Sequence, residues 1–547
     1  MSRNQSAKIE PDCDVVVVGA GFAGIYALWQ ARQRGLSVRG FERGSDVGGT
    51  WYWNTYPGAR CDVESYNYAY FFDNDIVRDW NWSDACAGHD EIQRYLRFVA
   101  ERCDVVRDIA FNTEVQSLRY DEDSGLWSLR TAAGETVVCR YAILAIGALS
   151  EPKAPDISGV DNFAGEAYFT SNWPKEGIVD LSGKRVGVIG TGSSGVQVIP
   201  EVAKVAAEVY VFQRTANYVT ETRSGPMDPN VVARLRADPQ AIRRAFRQTY
   251  GGQTPLEMGD GRFLELDDAG RERALQRAWD GRHVQLAFKD AYLPEANAAI
   301  SNFIRQRMHE QVDDRWTADH LMPWDHPYGG KRPCLSNVYL ETFNQPHVHL
   351  IALSETPIEE IVADGIRTTA QTIALDVIVY ATGFDAISGP VFAIDILGLG
   401  GESMKDAWAD GPMNYLGTMV HGFPNLFLPS SAMSPSVLSN MATLAEQQVD
   451  FIFDTIDWLD QHGRPLLHPL SKSQELWREE TLRYAARRPG ALSTKSWYSG
   501  ANVPDKPRVF MVYCGGFKRY NETCYGELED GFPGYEIMAS PRRATTR

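Results

Sequence analysis

Residues 14–44 read DVVVVGAGFAGIYALWQARQRGLSVRGFERG, and the order of residue types in that stretch decides the fold. Val15 to Val18 form a β-branched run of the kind that lies buried in a parallel sheet. Gly19, Gly21 and Gly24 follow at GxGxxG spacing, Ile25 to Arg34 read as a helix, and a second strand, Ser37 to Phe41, ends in Glu42. A GxGxxG by itself is weak evidence. Strand, glycine turn, helix, second strand and an acid 18 residues after Gly24 together predict a dinucleotide-binding unit. The glycines let a pyrophosphate approach the helix N-terminus, whose free N–H groups favour an anion. Glu42 can accept hydrogen bonds from the hydroxyls of an unphosphorylated ribose.

The pattern returns at residues 184–215, KRVGVIGTGSSGVQVIPEVAKVAAEVYVFQRT. Arg185 to Ile189 read as the strand. Gly190, Thr191, Gly192, Ser193, Ser194 and Gly195 make the turn, a helix follows, and Val209 to Phe212 form the next strand. Here the terminal acid is missing, and Gln213, Arg214 and Thr215 stand in its place. A carboxylate would repel a 2′-phosphate, whereas Arg214 can pair with one and Thr215 can hydrogen-bond it. Two unlike sites in one chain suggest electron transfer between two cofactors, with FAD held tightly at the first and NADPH exchanging at the second. A third stretch, DVIVYATGFDA (376–386), has an apolar strand ending in Ala381-Thr382-Gly383, as in many flavoproteins that also bind a nicotinamide nucleotide.

The expected fold class is therefore α/β, with two Rossmann-like dinucleotide-binding domains and a helical insertion in the second. The FAD domain takes residues 1–150 and returns, with the C-terminal region, at 381–547. The NADP domain takes 151–225, with a hinge at 163–174, and returns at 326–380. Residues 226–325 are charged and helical in pattern and carry no nucleotide motif. The tail PRRATTR is expected to be disordered.

Composition narrows the function. The chain has 547 residues, enough for two or three domains, and 54 basic residues against 71 acidic give a net charge of −17. That balance argues against a nucleic-acid or anionic-membrane surface. The eight cysteines are scattered without a CxxC pair, and no histidines cluster at metal-ligand spacing. Reduced thiols in a cytoplasmic protein without a metal are the expectation. Residues 1–12 are polar and unlike a signal peptide. The longest apolar stretch, Tyr141 to Leu149, is far short of the ~20 residues that span a membrane. The missing CxxxxC pair excludes a disulfide reductase.

Several blocks together resemble the type I Baeyer–Villiger monooxygenases, in particular their phenylacetone- and steroid-oxidising members. These are DVGGTWYWNTYPGARCDVES (46–65), VIGTGSSGVQVIP (188–200), FQRT (212–215), GGKRP (329–333), YATGFDA (380–386), GFPNLF (422–427), SPSVLSNM (434–441) and SWYSGANVPDKPRVF (496–510). The resemblance runs nearly end to end. The family signature, FxGxxxHxxxWP, is matched at Phe163, Gly165, Trp173 and Pro174, but Phe169 stands at the histidine position. That segment is then the hinge between the two nucleotide domains, with its aromatics packing across the junction and Gly165 permitting close backbone approach. The signature histidine is linked in the family to domain movement and NADP contacts, and phenylalanine can neither hydrogen-bond nor titrate there.

The resemblance implies NADPH- and O2-dependent insertion of one oxygen next to a ketone carbonyl, giving an ester or lactone through a C4a-peroxyflavin. The same chemistry can oxidise sulfides. Arg332 matches the family's essential arginine and Asp62 the carboxylate that positions it; a planar, permanent cation stabilises negative oxygen without losing a proton. Lys331 joins Arg214 and Thr215 around the 2′-phosphate, and Trp497 matches an aromatic in the loop that closes over the nicotinamide. For FAD, Glu42 takes the ribose, Thr50, Trp51, Tyr52, Trp53, Asp62 and Tyr68 approach the ring system, Met441 lies in the flavin-side loop, and Val115 meets the adenine through its backbone. The many tryptophans and tyrosines between 51 and 82 read mostly as core. Loop 434–441 and the segments near Leu149, Cys334 and Trp497 are expected to line the ketone pocket, without selecting among cyclic, aryl, linear or steroidal frames.

Three other readings stand beside this one. A flavin monooxygenase of amine or sulfide heteroatoms uses the same cofactors, but the GGKRP and RCDVES blocks argue against it. Phe169 raises an NADPH oxidase, in which activated oxygen decays unused. A non-catalytic redox-sensing flavoprotein would have no need of both fingerprints and the charge pair.

Overall fold

The computed structural model describes residues 10–541 apart from 178, 255–260, 283, 285–287 and 492. The valine run forms a strand, Cys13–Val18, followed by a helix, Phe22–Gln33, and a strand, Val38–Phe41. The helix begins three residues before Ile25, because the third glycine of the turn, Gly24, belongs to its first turn. Cys13–Val18 lies parallel between Val38–Phe41 and the far half of Thr136–Leu144, with Val15 opposite both Val38 and Tyr141. All of Val15 to Val17 are buried, which explains a run with no polar alternation.

Ile109–Ala110 closes one edge of this sheet. On the other side Thr136–Leu144 continues antiparallel into Leu126–Thr131 and Val115–Asp121, and Asp395–Leu397 forms the far edge. Leu426–Phe427 lies beside Ala142 and Ile143. Strands from opposite ends of the chain thus share one sheet.

The second sheet has five parallel strands in the order Val348–Ala352, Glu208–Gln213, Arg185–Ile189, Val377–Tyr380 and Glu166–Phe169. The last of these sets the aromatics of segment 163–174 against the second sheet, where packing across the junction was expected. Phe169 stacks on Tyr380 with ring centres 4.7 Å apart, and both Phe163 and Phe169 pack against the Ile189, Phe212 and Ile378 cluster. Tyr168, on the opposite face, meets Trp173 at 5.3 Å. These aromatics serve the second sheet and its core, since strand pairing with Val377–Tyr380 fixes their directions. Gly165 is needed there: a Cβ would lie 2.6 Å from the Asp376 carbonyl oxygen. The residue that crosses toward the first sheet is Lys175, whose Nζ donates to the carbonyl oxygens of Tyr52 and Trp53 and to Thr55 Oγ1.

The segment 226–325 divides between the two cores. Pro229–Ala237 and Pro239–Arg247 place Leu235 and Phe246 in the first core, whereas Asp268–Asp280, Pro294–His309 and Arg315–Leu321 pack in the second. Arg243 carries the first pair's anchor: it bonds Glu446 and, at 2.7 Å, Asp450 of the long helix Met441–Gln461. Among the aromatics of residues 51–82, Phe72 packs on Tyr26 and Trp29, and Trp80 and Trp82 pack on Tyr95. The C-terminal tail lies outside the described residues from Arg542 onward. Among the described residues no helix is long and apolar enough to cross a membrane.

Candidate active site

Both glycine turns sit at the carboxyl ends of their strands and open into one cavity of about 1690 Å3. Single-ligand pockets run to about 300–1,000 Å3, so the cavity has room for more than one ligand. The turns are built alike. Gly19 (φ +98°) and Gly190 (φ +108°) each lie where a Cβ would stand 2.5 Å from a carbonyl oxygen, of Ala145 and Ala381 respectively. Gly21, Gly192, Thr191, Ser193 and Ser194 line the cavity, but Gly24 and Gly195 do not. A Cβ on these two would lie 1.8 Å and 2.1 Å from the oxygens of Gly19 and Gly190. Their work is to seat each helix on its own strand.

Glu42 lines the first end of the cavity and is 5% exposed. Its carboxylate accepts from the N–H of Ala20 at 2.8 Å and of Gly44 at 2.7 Å, which fixes its direction and leaves further lone pairs for a ribose. Burial raises its pKa despite these bonds. Val115 lines the same end. The single turn Thr50–Trp53 presents Thr50, Trp51 and Trp53 to the cavity, and Trp51 Nε1 donates to Tyr68 Oη at 3.3 Å. Tyr52 does not line the cavity: its hydroxyl accepts from Ser45 N at 3.1 Å and its ring lies under Lys175. Three successive helical residues cannot all face one way, and Tyr52 is the one turned out. Met441 opens the long helix, capped by Asn440, and lines the cavity beside Ala445.

Arg332 and Asp62 meet between the two ends, 270 residues apart in the chain. Arg332 Nε and Nη2 donate to the two carboxylate oxygens, each at 2.8 Å, and Nη1 donates to the Val437 carbonyl at 2.8 Å. The guanidinium is thus held in plane by a bidentate pair. Asp62's charge holds the arginine's proton even more tightly than usual. Asn217 Nδ2 donates to the Arg332 backbone carbonyl at 3.1 Å and to Cys334 Sγ at 3.2 Å. Cys334 faces Asn217 and Ser193 and does not line the cavity, because the strand pairing of Cys334 with Val219 points it inward. Leu149, Val437, Ser439 and Trp497 do line it.

At the second end three cations gather: Arg214, Lys331 and Lys153, all lining the cavity together with Thr215. Burial depresses both lysines, and the charge of Arg214 depresses them further. Thr191 Oγ1 donates to the Thr215 carbonyl at 3.1 Å and ties the turn to the end of the next strand. Trp497 packs on Tyr498 at 4.5 Å in the turn Trp497–Ser499. Downstream, Asn502 accepts from Lys153 Nζ at 2.5 Å and Lys506 pairs with Asp385.

Sequence reasoning missed Lys153, which no motif marks, and Asn217, two residues beyond FQRT. It also missed Tyr56 and Gln197, which stood inside quoted blocks. Tyr56 Oη donates to Gln197 Oε1 at 2.7 Å, and Gln197 Nε2 donates to the Arg60 carbonyl at 3.0 Å. This fastens the second nucleotide's helix to the loop that carries Asp62. Among the described residues no group of three or more His, Cys, Asp or Glu side chains could hold a metal ion.

The glycine cradles, the ribose-directed acid and the phosphate-directed cations fit FAD at one end and NADP at the other. A fixed arginine–carboxylate pair stands between them. Two facing dinucleotide sites of this kind define a two-cofactor flavoprotein oxidoreductase. The Flavin-binding monooxygenase-like family matches residues 12–237, and the chain belongs to it, among the Baeyer–Villiger monooxygenases. It is 37% identical to the 2-oxo-Δ3-4,5,5-trimethylcyclopentenylacetyl-CoA monooxygenase of Pseudomonas putida, over 96% of this chain and 98% of that protein. A solved structure of oxidised steroid monooxygenase bound to NADP is similar with a TM-score of 0.90 and 41% identity, over 96% of this chain and 99% of the other. OTEMO in complex with FAD and NADP is similar with a TM-score of 0.92 and 36% identity, over 97% and 100% of the two chains. The chain is an FAD- and NADPH-dependent monooxygenase.

Proposed function

We propose that the chain inserts one atom of O2 between a ketone's carbonyl carbon and a neighbouring carbon, with Arg332 as the fixed cation beside the flavin. The balance is ketone, O2, NADPH and a proton giving ester or lactone, NADP+ and water. The observation that carries this reading is the bidentate Arg332–Asp62 pair facing the shared cavity. Bound FAD supplies the passage of electrons from NADPH to O2.

The chain's own residues do the rest. A guanidinium has five N–H donors, and the bonds to Asp62 and Val437 and the contact with Tyr498 leave donor capacity for negative charge developing on oxygen. Asp62 and the Asn217 bond to the Arg332 backbone hold that cation in place before the reaction begins, so no reorganisation is needed then. Arg214, Lys331, Lys153 and Thr215 bind the 2′-phosphate; Glu42 orients the FAD ribose. Leu149, Val437 and Trp497 give the ketone an apolar wall and exclude water that would release peroxide. A cytoplasmic location is the reading that the eight free cysteines support.

The test is NADPH consumption by purified FAD-loaded enzyme across cyclic, aryl, linear and steroidal ketones, with ester and H2O2 quantified in the same vials. Ester matching NADPH is expected for at least one frame. Peroxide matching NADPH for every ketone, with oxide formed from a sulfide or amine, would replace this reading with heteroatom oxidation.

A further inference from the structure

The 2′-phosphate end of the cavity contains a carboxylate that no phosphate needs. Asp325 lines the cavity, and its Oδ2 lies 3.5 Å from Lys331 Nζ. Its Oδ1 accepts from His326 Nδ1 at 2.7 Å. That histidine ring is buried, and its Nε2 has no partner among the described residues, so its polar contact there is with Asp325. The ring is itself held. Tyr218 packs edge-on against it at 5.4 Å and donates through its hydroxyl to the His326 carbonyl at 3.2 Å, while Arg305 Nη1 donates to that hydroxyl. A carboxylate aimed by a braced histidine at one of three phosphate-binding cations is a built feature. Burial lowers the pKa of the ring against the pull of Asp325, and His326 orients that carboxylate through Nδ1.

Asp156 and Asp385 act on Lys153, and Asp325 is the carboxylate set against Lys331. A carboxylate beside a 2′-phosphate repels it, and without the phosphate it balances cations that would otherwise repel each other. We propose that Asp325 is a counter-charge that moderates NADP binding: it compensates Lys331 in the empty site and limits how strongly the enzyme prefers a 2′-phosphorylated nucleotide. The residue sets nucleotide discrimination and the ease of NADP+ release, and takes no part in oxygen transfer. This rests on the assignment of Arg214 and Lys331 to the 2′-phosphate.

The experiment titrates oxidised, FAD-loaded enzyme with NADP+ and, separately, NAD+, following the flavin spectrum at low ionic strength. The readout is the ratio of the two dissociation constants, which general misfolding does not shift in a fixed direction. Asp325→Asn keeps the acceptor for His326 and removes the charge. It should raise the preference for NADP+ about three- to tenfold, the order expected when one solvent-exposed charge beside Lys331 is removed from the neighbourhood of a doubly charged group. Asp325→Glu should stay within about twofold of the parent, and added salt should erase most of the Asn effect. An unchanged or lowered preference in Asp325→Asn, while Lys331→Ala still lowers it, overturns the proposal alone. If Lys331→Ala leaves the ratio unmoved, the phosphate assignment fails and the proposal falls with it.

Discussion

Arg332→Ala removes three hydrogen bonds of 2.8 Å, two to Asp62 and one to the Val437 carbonyl. The two side chains are 29% and 27% exposed, so water can reach the Asp62 carboxylate left behind. The cost to the fold is then about 1–3 kcal/mol, well short of the full penalty for a dry, unpaired charge. A folded domain of ordinary stability tolerates that. The effect on oxygen insertion is larger. Loss of one preorganised donor at a developing oxyanion typically costs about 10²–10³ in rate, ~2.7–4 kcal/mol, and here the donor is also a permanent cation. NADPH oxidation should change only a fewfold, because Arg332 is not among the phosphate-binding cations. Peroxide should therefore take the place of ester. Arg332→Lys restores the charge, but one ammonium nitrogen cannot span both Asp62 oxygens and the Val437 carbonyl in a plane, so it should recover only part of the activity. The assay measures NADPH, ester and H2O2 together, with FAD content and thermal midpoint as controls. Ester from Arg332→Ala within tenfold of the parent rate, at equal FAD content, would show that oxygen transfer does not need the Arg332 cation.

Two further perturbations probe other parts of the molecule. Gly192→Ala adds a Cβ with no atom within 4 Å, at an ordinary φ of −78°, yet in the space a pyrophosphate would enter. It should leave FAD content and thermal midpoint unchanged and raise the KM for NADPH about tenfold; an unchanged KM would count against the second glycine turn as the nucleotide cradle. Glu355→Gln tests a surface pair: burial works against the His320 charge, but the Trp316 carbonyl and the Glu355 carboxylate, 2.9 Å away, outweigh it and raise the pKa above 6.5. A raised histidine contributes stability that is complete below 6.5 and lost as pH rises through the folded-state value. The variant should be less stable at pH 6, by at most about 0.5 kcal/mol, and indistinguishable from the parent at pH 9 in thermal or denaturant unfolding.

What repeats locally was legible in the chain before folding. Two valine- or isoleucine-rich strands, each running into a glycine turn and a helix, specify two sheets whose central strands pair in parallel, because burial on both faces and the need for φ above zero act within a few residues. The contrast of Glu42 with Arg214 is likewise local, and the proposed assignment of FAD to one end and NADP to the other rests on it. What depends on direction and distance came only with the folded chain. Pairing with Val377–Tyr380 turned the aromatics of Phe163–Pro174 into the second core, although their spacing suits a connector equally well. Helical rotation turned Tyr52 out of the cavity while its neighbours faced in. Lys153, Asn217 and Asp325 stand in no motif, and each gains its place only when segments far apart in the chain close on one cavity. A hydrogen bond spanning 270 residues, such as Arg332 to Asp62, leaves no periodicity to read. It exists because two folded sheets hold its ends at 2.8 Å.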